Sequence, residues 1–554
     1  MGNSRVRIKK AGKAANVLEA LQAQGEYLLA PCGGNGTCGK CRVKFLPGNA
    51  REAAQIPPAS AADRKVLTVQ EISAGIRLAC TAAASGTEGM EIEILSQDES
   101  DIEAAVSFSL DRPGAGSSPG GGKAFQTKAL QRDSSPDSKK DLPQEDLPTA
   151  GLPDAGAGAE ADAGSDCLTA AVDIGTTTIA MSAVDPGTGR VHGTVTGINH
   201  QRTFGADVIS RIEASNQGKG DQLRQSILDD LASLRIRLGL PEDVPMVISG
   251  NTTMEHLLQG LPCRTLGVSP YTPVDISLHT CGNMTILPGI STFVGADIVS
   301  GIVACGMDRS EEICILVDLG TNGEMAIGNR DRIISASTAA GPAFEGGNIS
   351  CGVAGIPGAV SGVEIRNGEA HVQTIGGRPP AGLCGTGVLE VVYELLKEEL
   401  IDETGLLDED YFESGFPVAD GITFTAKDVR EVQLAKSAVR AGLEVLLREY
   451  GADYSQIGKL YIAGGFGQKI NFEKAVGIGL LPEELLDRMM AVGNSSLAGA
   501  VMAAHDPAIL ERMRAVGEKA EETALAENPL FSDLYMDNMF FPELSSDVSS
   551  DDED

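Results

Sequence analysis

Four cysteines near the N-terminus have the type and spacing of metal ligands. Cys32, Cys38 and Cys41 lie within the stretch APCGGNGTCGKCRV, and Cys80 follows in GIRLAC. Four thiolates suit either an iron–sulfur cluster or a structural zinc ion. Zinc ribbons usually contain two Cys-x-x-Cys pairs, whereas this sequence has one pair and a distant fourth cysteine. The spacing therefore favours a [2Fe–2S] cluster, with zinc and unligated thiols as the alternatives.

The loop that contains the first three cysteines is rich in glycine, at Gly33, Gly34, Gly36 and Gly39. Glycine tolerates positive φ and has no side chain, so backbone N–H groups can approach inorganic sulfide closely. Such hydrogen bonds stabilise a negatively charged cluster and tune its potential. The stretch resembles the β-grasp [2Fe–2S] ferredoxins, and the resemblance covers residues 5–98.

Three glycine-containing motifs later in the chain have the residue types of a nucleotide site. DIGTTTIA begins at Asp173, DLGTNGEM begins at Asp318, and AGGFG covers residues 463–467. A glycine after the aspartate lets a phosphate approach backbone N–H groups, and the threonines add hydroxyl donors. The aspartates can hold hydrated Mg²⁺ or orient the attacking water, so we expect Asp173 and Asp318 to be catalytic. The residues expected to contact ATP are Gly175, Thr176, Thr177, Thr178, Gly320, Thr321, Asn322, Gly323, Gly464, Gly465 and Gly467.

These motifs lie in an alternating α/β pattern that begins near Cys167. PMVISGNTT, for example, is expected to form a strand that ends in a polar loop. The pattern resembles the acetate kinase, sugar kinase, Hsp70 and actin superfamily (ASKHA, RNase H-like), which implies a two-lobed α/β ATPase next to a small α+β ferredoxin domain. The expected division is a ferredoxin domain over 1–98, a flexible low-complexity linker over 99–166, ATPase halves over 167–306 and 307–545, and an acidic tail over 546–554.

Composition restricts the classes of partner. The chain has 44 basic and 77 acidic residues and a net charge of −33, which argues against nucleic acid and anionic membranes as partners. No apolar run reaches the roughly 18 residues of a membrane span, and the N-terminus does not resemble a secretory signal. The cysteines outside the N-terminal group are scattered singly, as is usual in a reducing compartment. We therefore expect a cytoplasmic protein.

The combination of a ferredoxin domain and an ASKHA ATPase resembles the reductive activators of corrinoid proteins. The resemblance extends to FGADVISRI (204–212), SGNTTM (249–254), TAAGPAFEGGNISCG (338–352) and GNSSLAGA (493–500). It implies an enzyme that uses ATP and Mg²⁺ to pass an electron from the [2Fe–2S] cluster to Co(II), regenerating Co(I) for methyl transfer. The implied partners are a corrinoid protein of a methyltransferase system and a low-potential electron donor, and a homodimer is left open.

Two other functions stay open at this stage. One is an activator of a radical dehydratase, although such activators carry a [4Fe–4S] cluster shared between subunits and need no N-terminal ferredoxin. The other is a non-catalytic redox-sensing module that binds ATP.

The family also has a folded middle domain, and we expect the low-complexity run 98–166 to stand in its place. Asp207 and Arg211 are expected to form an exposed ion pair; the alternative is that they lie at the start of a helix that contacts a nucleotide or a partner. Glu345 is a candidate to line the cleft.

Overall fold

The computed structural model describes residues 5–9, 14–24, 26, 28, 30, 34, 36, 39–95, 168–465 and 469–544. The predicted linker and acidic tail lie outside these residues. The first described part contains a four-stranded antiparallel sheet with the strand order β1-β4-β2-β3. Its strands are β1 (Arg5–Arg7), β2 (Arg42–Leu46), β3 (Ile76–Leu78) and β4 (Glu91–Ile94), and its helices are α1 (Val17–Gln22), α2 (Ala50–Ala53), α3 (Ala61–Val66) and α4 (Val69–Ser73).

Alternating apolar residues produce this small sheet. Val43 and Phe45 of β2 and Ile92 of β4 are buried, whereas the residues between them are partly exposed. Helix α1 begins where the Asn16 side chain accepts a hydrogen bond from the Glu19 amide, and its apolar face is buried. Cys41 and Cys80 belong to the same core, so this sheet holds two of the four predicted ligands in place.

The second sheet has six strands in the order β7-β6-β5-β8-β10-β9. Strands β5 (Thr169–Ile174), β6 (Thr178–Val184) and β7 (Val191–Ile198) form an antiparallel meander, and β8 (Met246–Gly250) pairs parallel with β5. Strands β9 (His279–Cys281) and β10 (Met284–Ile286) complete the sheet. The helices of this region are α5 (Val208–Ala214), α6 (Gly220–Arg237), α7 (Thr252–Gln259) and α8 (Ala296–Ala304).

The third sheet repeats this arrangement, with the order β20-β19-β11-β12-β13-β21. Its meander consists of β11 (Ile313–Leu319), β12 (Gly323–Gly328) and β13 (Ile333–Thr338), and β19 (Ile457–Ala463) pairs parallel with β11. Strands β20 (Met489–Gly493) and β21 (Glu521–Glu522) lie at its edges. The helices are α9 (Gly385–Lys397), α10 (Ala426–Tyr450), α11 (Phe472–Gly477), α12 (Ser495–His505), α13 (Pro507–Lys519) and α14 (Pro529–Asp537).

A smaller subdomain is inserted in this half. It contains a three-stranded sheet of β14 (Ala359–Arg366), β15 (Glu369–Thr374) and β16 (Gly382–Leu383), and a hairpin of β17 (Phe416–Ala419) and β18 (Ile422–Phe424).

Helices α8 and α12 lie between the two six-stranded sheets and share one buried core with both of them. At their contact, Ser249 at the end of β8 lies 2.9 Å from the hydroxyls of both Ser300 and Ser496. The two sheets therefore pack against each other through these two helices, by small polar and apolar side chains.

One local expectation is wrong. The polar residues that follow β8 do not form a loop, because Asn251 caps helix α7 through a hydrogen bond from the Met254 amide to its side chain.

Candidate functional site

The turns of the two meanders face each other across one cavity. Thr177 Oγ1, from the turn between β5 and β6, lies 3.2 Å from Thr321 Oγ1, from the turn between β11 and β12. The residues that the sequence predicts for the site and that line this cavity are Asp173, Gly175, Thr176, Thr177, Thr178, Asp318, Gly320, Thr321, Asn322, Gly464 and Gly465. Gly323 is not among the lining residues, and Gly467 lies outside the described residues.

Asp173 is held in one orientation by two donors from the start of α12. Asn494 Nδ2 donates to Asp173 Oδ2 over 2.8 Å, and Ser496 Oγ donates to Oδ1 over 2.7 Å. Burial raises the pKa of Asp173 above its usual value, and these two hydrogen bonds oppose the shift. The aspartate thus keeps a defined geometry at the end of β5, facing the cavity.

The cavity collects carboxylates, because Asp297, Glu324 and Glu345 line it together with Asp173 and Asp318. Burial raises the pKa of Asp318 to about 8, and neighbouring carboxylates, Asp297 first, add to the shift. Burial likewise raises the pKa of Asp297 to about 7, against the hydrogen bond from the Ile298 amide. The lining residues include no Lys or Arg, so this site fits a polyphosphate only together with a cation.

The donor set suits a hydrated divalent ion. Among the described residues, no group of three or more His, Cys, Asp or Glu is arranged to ligate a metal directly. Mg²⁺ keeps several waters and usually binds through one or two carboxylates plus substrate phosphates. Asp173 and Asp318 therefore fit Mg²⁺ that is bound through water, and this assignment stays a prediction.

Only glycine fits at the position where the AGGFG motif comes close to the DLGTNGEM motif. Gly464 has φ +96°, and a Cβ there would lie 2.5 Å from the Leu319 carbonyl and 2.9 Å from Asp318 Oδ1. Gly465, by contrast, has open space around its Cβ position. The close approach at Gly464 and the open space at Gly465 are consistent with a flat surface beside Asp318.

Arg211 is not in an exposed ion pair, so that expectation is wrong. Its side chain is completely buried and donates from Nη2 to the Thr176 carbonyl over 2.5 Å and from Nε to the Gly205 carbonyl over 3.0 Å. Burial, together with the charge of Arg202, lowers the pKa of Arg211 to about 9. Asp207 instead caps α5 through the Ser210 amide. The arginine thus stabilises the turn between β5 and β6 by a hydrogen bond to its backbone.

Two of the four predicted cluster ligands can be located. Cys41 Sγ lies 3.3 Å from Cys80 Sγ, much longer than the roughly 2.05 Å of a disulfide. Two thiolates on one tetrahedral metal, with metal–sulfur bonds of about 2.3 Å, are separated by about 3.8 Å. The two thiols are therefore not joined as a disulfide and lie closer than that spacing, and their ligation of one iron stays a prediction. Cys32 and Cys38 lie outside the described residues.

Several residues of the site were not predicted. They are Asn251, Asp297, Glu324, Asn494 and Ser496, and Glu345 was only a candidate. Asn251 donates to Thr176 Oγ1 over 3.1 Å, and Asn322 donates to Glu324 over 3.0 Å. A usable signal was present for Asn251, Asn494 and Ser496, because they lie in SGNTTM and GNSSLAGA, two of the stretches that carried the family resemblance.

These features define a class of protein, an ASKHA-type α/β ATPase fold preceded by a small ferredoxin-like sheet. Family models agree along the chain. Residues 3–85 match the 2Fe-2S iron-sulfur cluster binding domain, 168–310 match the RACo middle region, and 312–550 match the C-terminal domain of RACo, the ASKHA domain. The chain belongs to the family of reductive activators of corrinoid proteins. The predicted fold class and family resemblance are confirmed.

Individual relatives support the same assignment. The chain is 32% identical over 417 residues to the corrinoid activation enzyme RamQ of Eubacterium limosum, covering 67% of this chain and 70% of that protein. It is 26% identical over 414 residues to a [Co(II) methylated amine-specific corrinoid protein] reductase of Methanosarcina barkeri, covering 66% and 75%. A solved reductive activator for a corrinoid, iron-sulfur protein superposes with a TM-score of 0.64 at 26% identity, covering 97% and 96%.

One sequence-based expectation is overturned by these matches. The middle region of the family is not missing, because its model matches 168–310, the part assigned to the first half of the ATPase. The low-complexity run therefore precedes that region and does not replace it.

None of the helices in the described residues has the length and hydrophobicity of a transmembrane span.

Proposed function

We propose that this chain uses Mg-ATP to drive the reduction of Co(II) to Co(I) in a corrinoid protein of a methyltransferase system. The iron–sulfur group, when bound through Cys32, Cys38, Cys41 and Cys80, supplies one electron at a time. Co(II) gains that electron, and a low-potential electron donor of the cell then supplies another electron to the chain. ATP and water yield ADP and phosphate in the same cycle.

The observation that carries the proposal is the meeting of Thr177 and Thr321 across one cavity, 3.2 Å apart, on a chain that begins with an iron–sulfur domain. Each threonine comes from a different six-stranded sheet, so a phosphate chain held by both would hold the two sheets at one separation. Asp173 and Asp318 would bind hydrated Mg²⁺ and orient water at the phosphate.

The energetic reason for using ATP is the low potential of the acceptor. For a one-electron step, each 59 mV of unfavourable potential difference lowers the equilibrium constant about tenfold. A nucleotide can offset such a difference only if it binds two conformations of the complex with different affinities. The facing turns, contributed by separate sheets, support such a pair of conformations.

The test is anaerobic. Reduced protein is mixed with a Co(II) corrinoid protein, with and without Mg-ATP, and the Co(I) absorption band is recorded. We expect the band only with ATP. Cys38→Ala should abolish it while nucleotide binding persists, and Asp318→Ala should abolish ATP hydrolysis while the cluster stays reducible. A band of equal size without ATP would refute the proposal.

A further inference from the structure

A carboxylate joins the two phosphate turns in the structure. Glu345 Oε2 accepts a hydrogen bond from Thr177 Oγ1 and another from Thr321 Oγ1, each over 2.8 Å. Thr177 lies in the turn between β5 and β6 of the first six-stranded sheet, and Thr321 lies in the turn between β11 and β12 of the second. One anionic oxygen is therefore bound by a hydroxyl from each side of the cleft.

This arrangement uses the same donors that a phosphate would need. A threonine hydroxyl has a single proton to donate, so neither hydroxyl can donate to a phosphate oxygen while it donates to Glu345. The carboxylate also lies against the second turn, because a Cβ at Gly320 would be 3.7 Å from Glu345 Oε1. The Glu345 carboxylate, bound by two threonine hydroxyls, thus makes contacts similar to those expected of the terminal phosphate of ATP.

The segment that carries Glu345 is bounded by a glycine on each side. It is a single 3-10 turn, Pro342–Glu345, between Gly341 at φ +79° and Gly346 at φ +75°. Beyond it, the Ser350 amide donates to Asp428 Oδ1 over 2.6 Å, and Asp428 forms the capping box of α10 with Thr425. Ser350 thus connects the segment that follows Glu345 to the start of the 25-residue helix α10.

We propose that Glu345 competes with the terminal phosphate of ATP for Thr177 and Thr321 and thereby sets the affinity of the site. ATP binding expels the carboxylate, and the loop 341–352 carries this event to α10. The inference rests on the proposed binding of ATP in this cavity. It assigns Glu345 a positioning role, because it acts through the two threonines.

Binding of Mg-AMPPNP and Mg-ADP to the full chain, measured by calorimetry, tests this role. Glu345→Ala removes the competitor, and Glu345→Gln keeps its shape but removes its charge. Because charge-assisted hydrogen bonds are about twice as strong as neutral ones, we expect both variants to bind Mg-AMPPNP about tenfold tighter or more. The gain for Mg-ADP should be smaller. Glu364→Gln, an exposed carboxylate in the same half, is the control and should bind like the wild type.

A second measurement does not depend on affinity. In hydrogen exchange, amides of 341–352 should exchange faster in Glu345→Ala without nucleotide, and in the wild type only after Mg-AMPPNP is added. Unchanged or weaker affinity in both variants, at wild-type melting temperature, would overturn the inference while leaving the proposed function intact. Loss of hydrolysis at unchanged affinity would also overturn it. If neither wild type nor Glu345→Ala bound nucleotide, the proposed function would fall as well.

Discussion

Asn494 donates a hydrogen bond to Asp173 across 321 residues of sequence, over 2.8 Å. The same side chain accepts the Leu497 amide through its Oδ1 over 2.7 Å and so caps α12. One asparagine thus sets both the start of a helix in the second half and the orientation of an aspartate in the first. Asp173 is consequently oriented only when both sheets are in place.

Two substitutions separate these roles of Asn494. Asn494→Ser keeps a good N-cap but is too short to cap the helix and also reach Asp173, whereas Asn494→Ala loses both interactions. We expect ATP hydrolysis to fall about tenfold to a hundredfold in both, because a misplaced catalytic group costs rate. Only the alanine variant should also lose about 1 kcal/mol of stability in denaturant titrations. Wild-type hydrolysis in Asn494→Ser would contradict the role assigned to this hydrogen bond.

Arg211 should be required for both folding stability and nucleotide affinity. Arg211→Ala leaves the carbonyls of Thr176 and Gly205 without their donor, and hydrogen bonds to charged groups contribute about 1.5–3 kcal/mol each. We expect a loss of about 3 kcal/mol in denaturant titrations and weaker Mg-ATP binding by calorimetry. Arg235→Ala is the matched control, because Arg235 also donates to a backbone carbonyl, that of Leu240, at the end of helix α6. That control should leave nucleotide affinity unchanged.

The buried carboxylates should make stability fall with rising pH. The folded chain binds the Asp318 proton more tightly than the unfolded chain, because burial raises the pKa of Asp318 from 3.8 to about 8. Its contribution to stability is therefore fully present below pH 3.8 and is lost as the pH rises through about 8. We expect a lower melting temperature at high than at neutral pH.

Asp318→Asn tests this pH dependence. At high pH it should melt a few degrees above the wild type, since about 1 kcal/mol corresponds to roughly 2–4 °C in domains of 150–250 residues. The difference should shrink as the pH falls and vanish only below about pH 3.8, where Asp318 is protonated in both the folded and the unfolded chain. Asp243→Asn, on an exposed turn, should follow the wild type throughout. Equal melting curves for Asp318→Asn and wild type at high pH would contradict the shifted pKa.

Gly464 should tolerate no side chain. Gly464→Ala places a Cβ against the Leu319 carbonyl and Asp318 at a positive φ, so we expect a loss of more than about 1 kcal/mol and impaired nucleotide binding. Gly465→Ala, one residue later, meets open space and should retain wild-type stability in thermal melts. Equal stability of the two variants would show that the close approach is absent in solution.

Cys80 should be required for the cluster and not for the ATPase. Cys80→Ser removes a thiolate 3.3 Å from Cys41, so we expect anaerobically purified protein to contain little iron and sulfide. ATP hydrolysis should stay at the wild-type rate. Cys281→Ser, a half-buried thiol of the first half, should keep full iron content. Full occupancy in Cys80→Ser would remove Cys80 from the ligand set.

Short contiguous signals explain what could be predicted. The two Asp-x-Gly-Thr turns each lie within one hairpin, and the alternation of apolar residues around them specifies the strands that carry them. Asp173, Thr177, Asp318 and Thr321 were therefore predicted as site residues, and the structure brings them to one cavity. The family models bear out the iron–sulfur domain that the cysteine spacing indicated.

The residues that were missed depend on contacts between distant segments. Arg211 has the same sequence surroundings as an exposed helix residue, and only the packing of α5 under the first turn buries it. Asp297 and Glu324 look like ordinary acidic residues until two sheets enclose them.

The sequence by itself predicted the repeated hairpins, the candidate cysteine ligands and the class of protein, because each is recognisable from short motifs and their spacing along the chain. Only the tertiary structure decided that Asn494 orients Asp173 and that Glu345 bridges Thr177 and Thr321. These contacts join the two halves of the ATPase region, and no local pattern specifies how two separately formed sheets will meet.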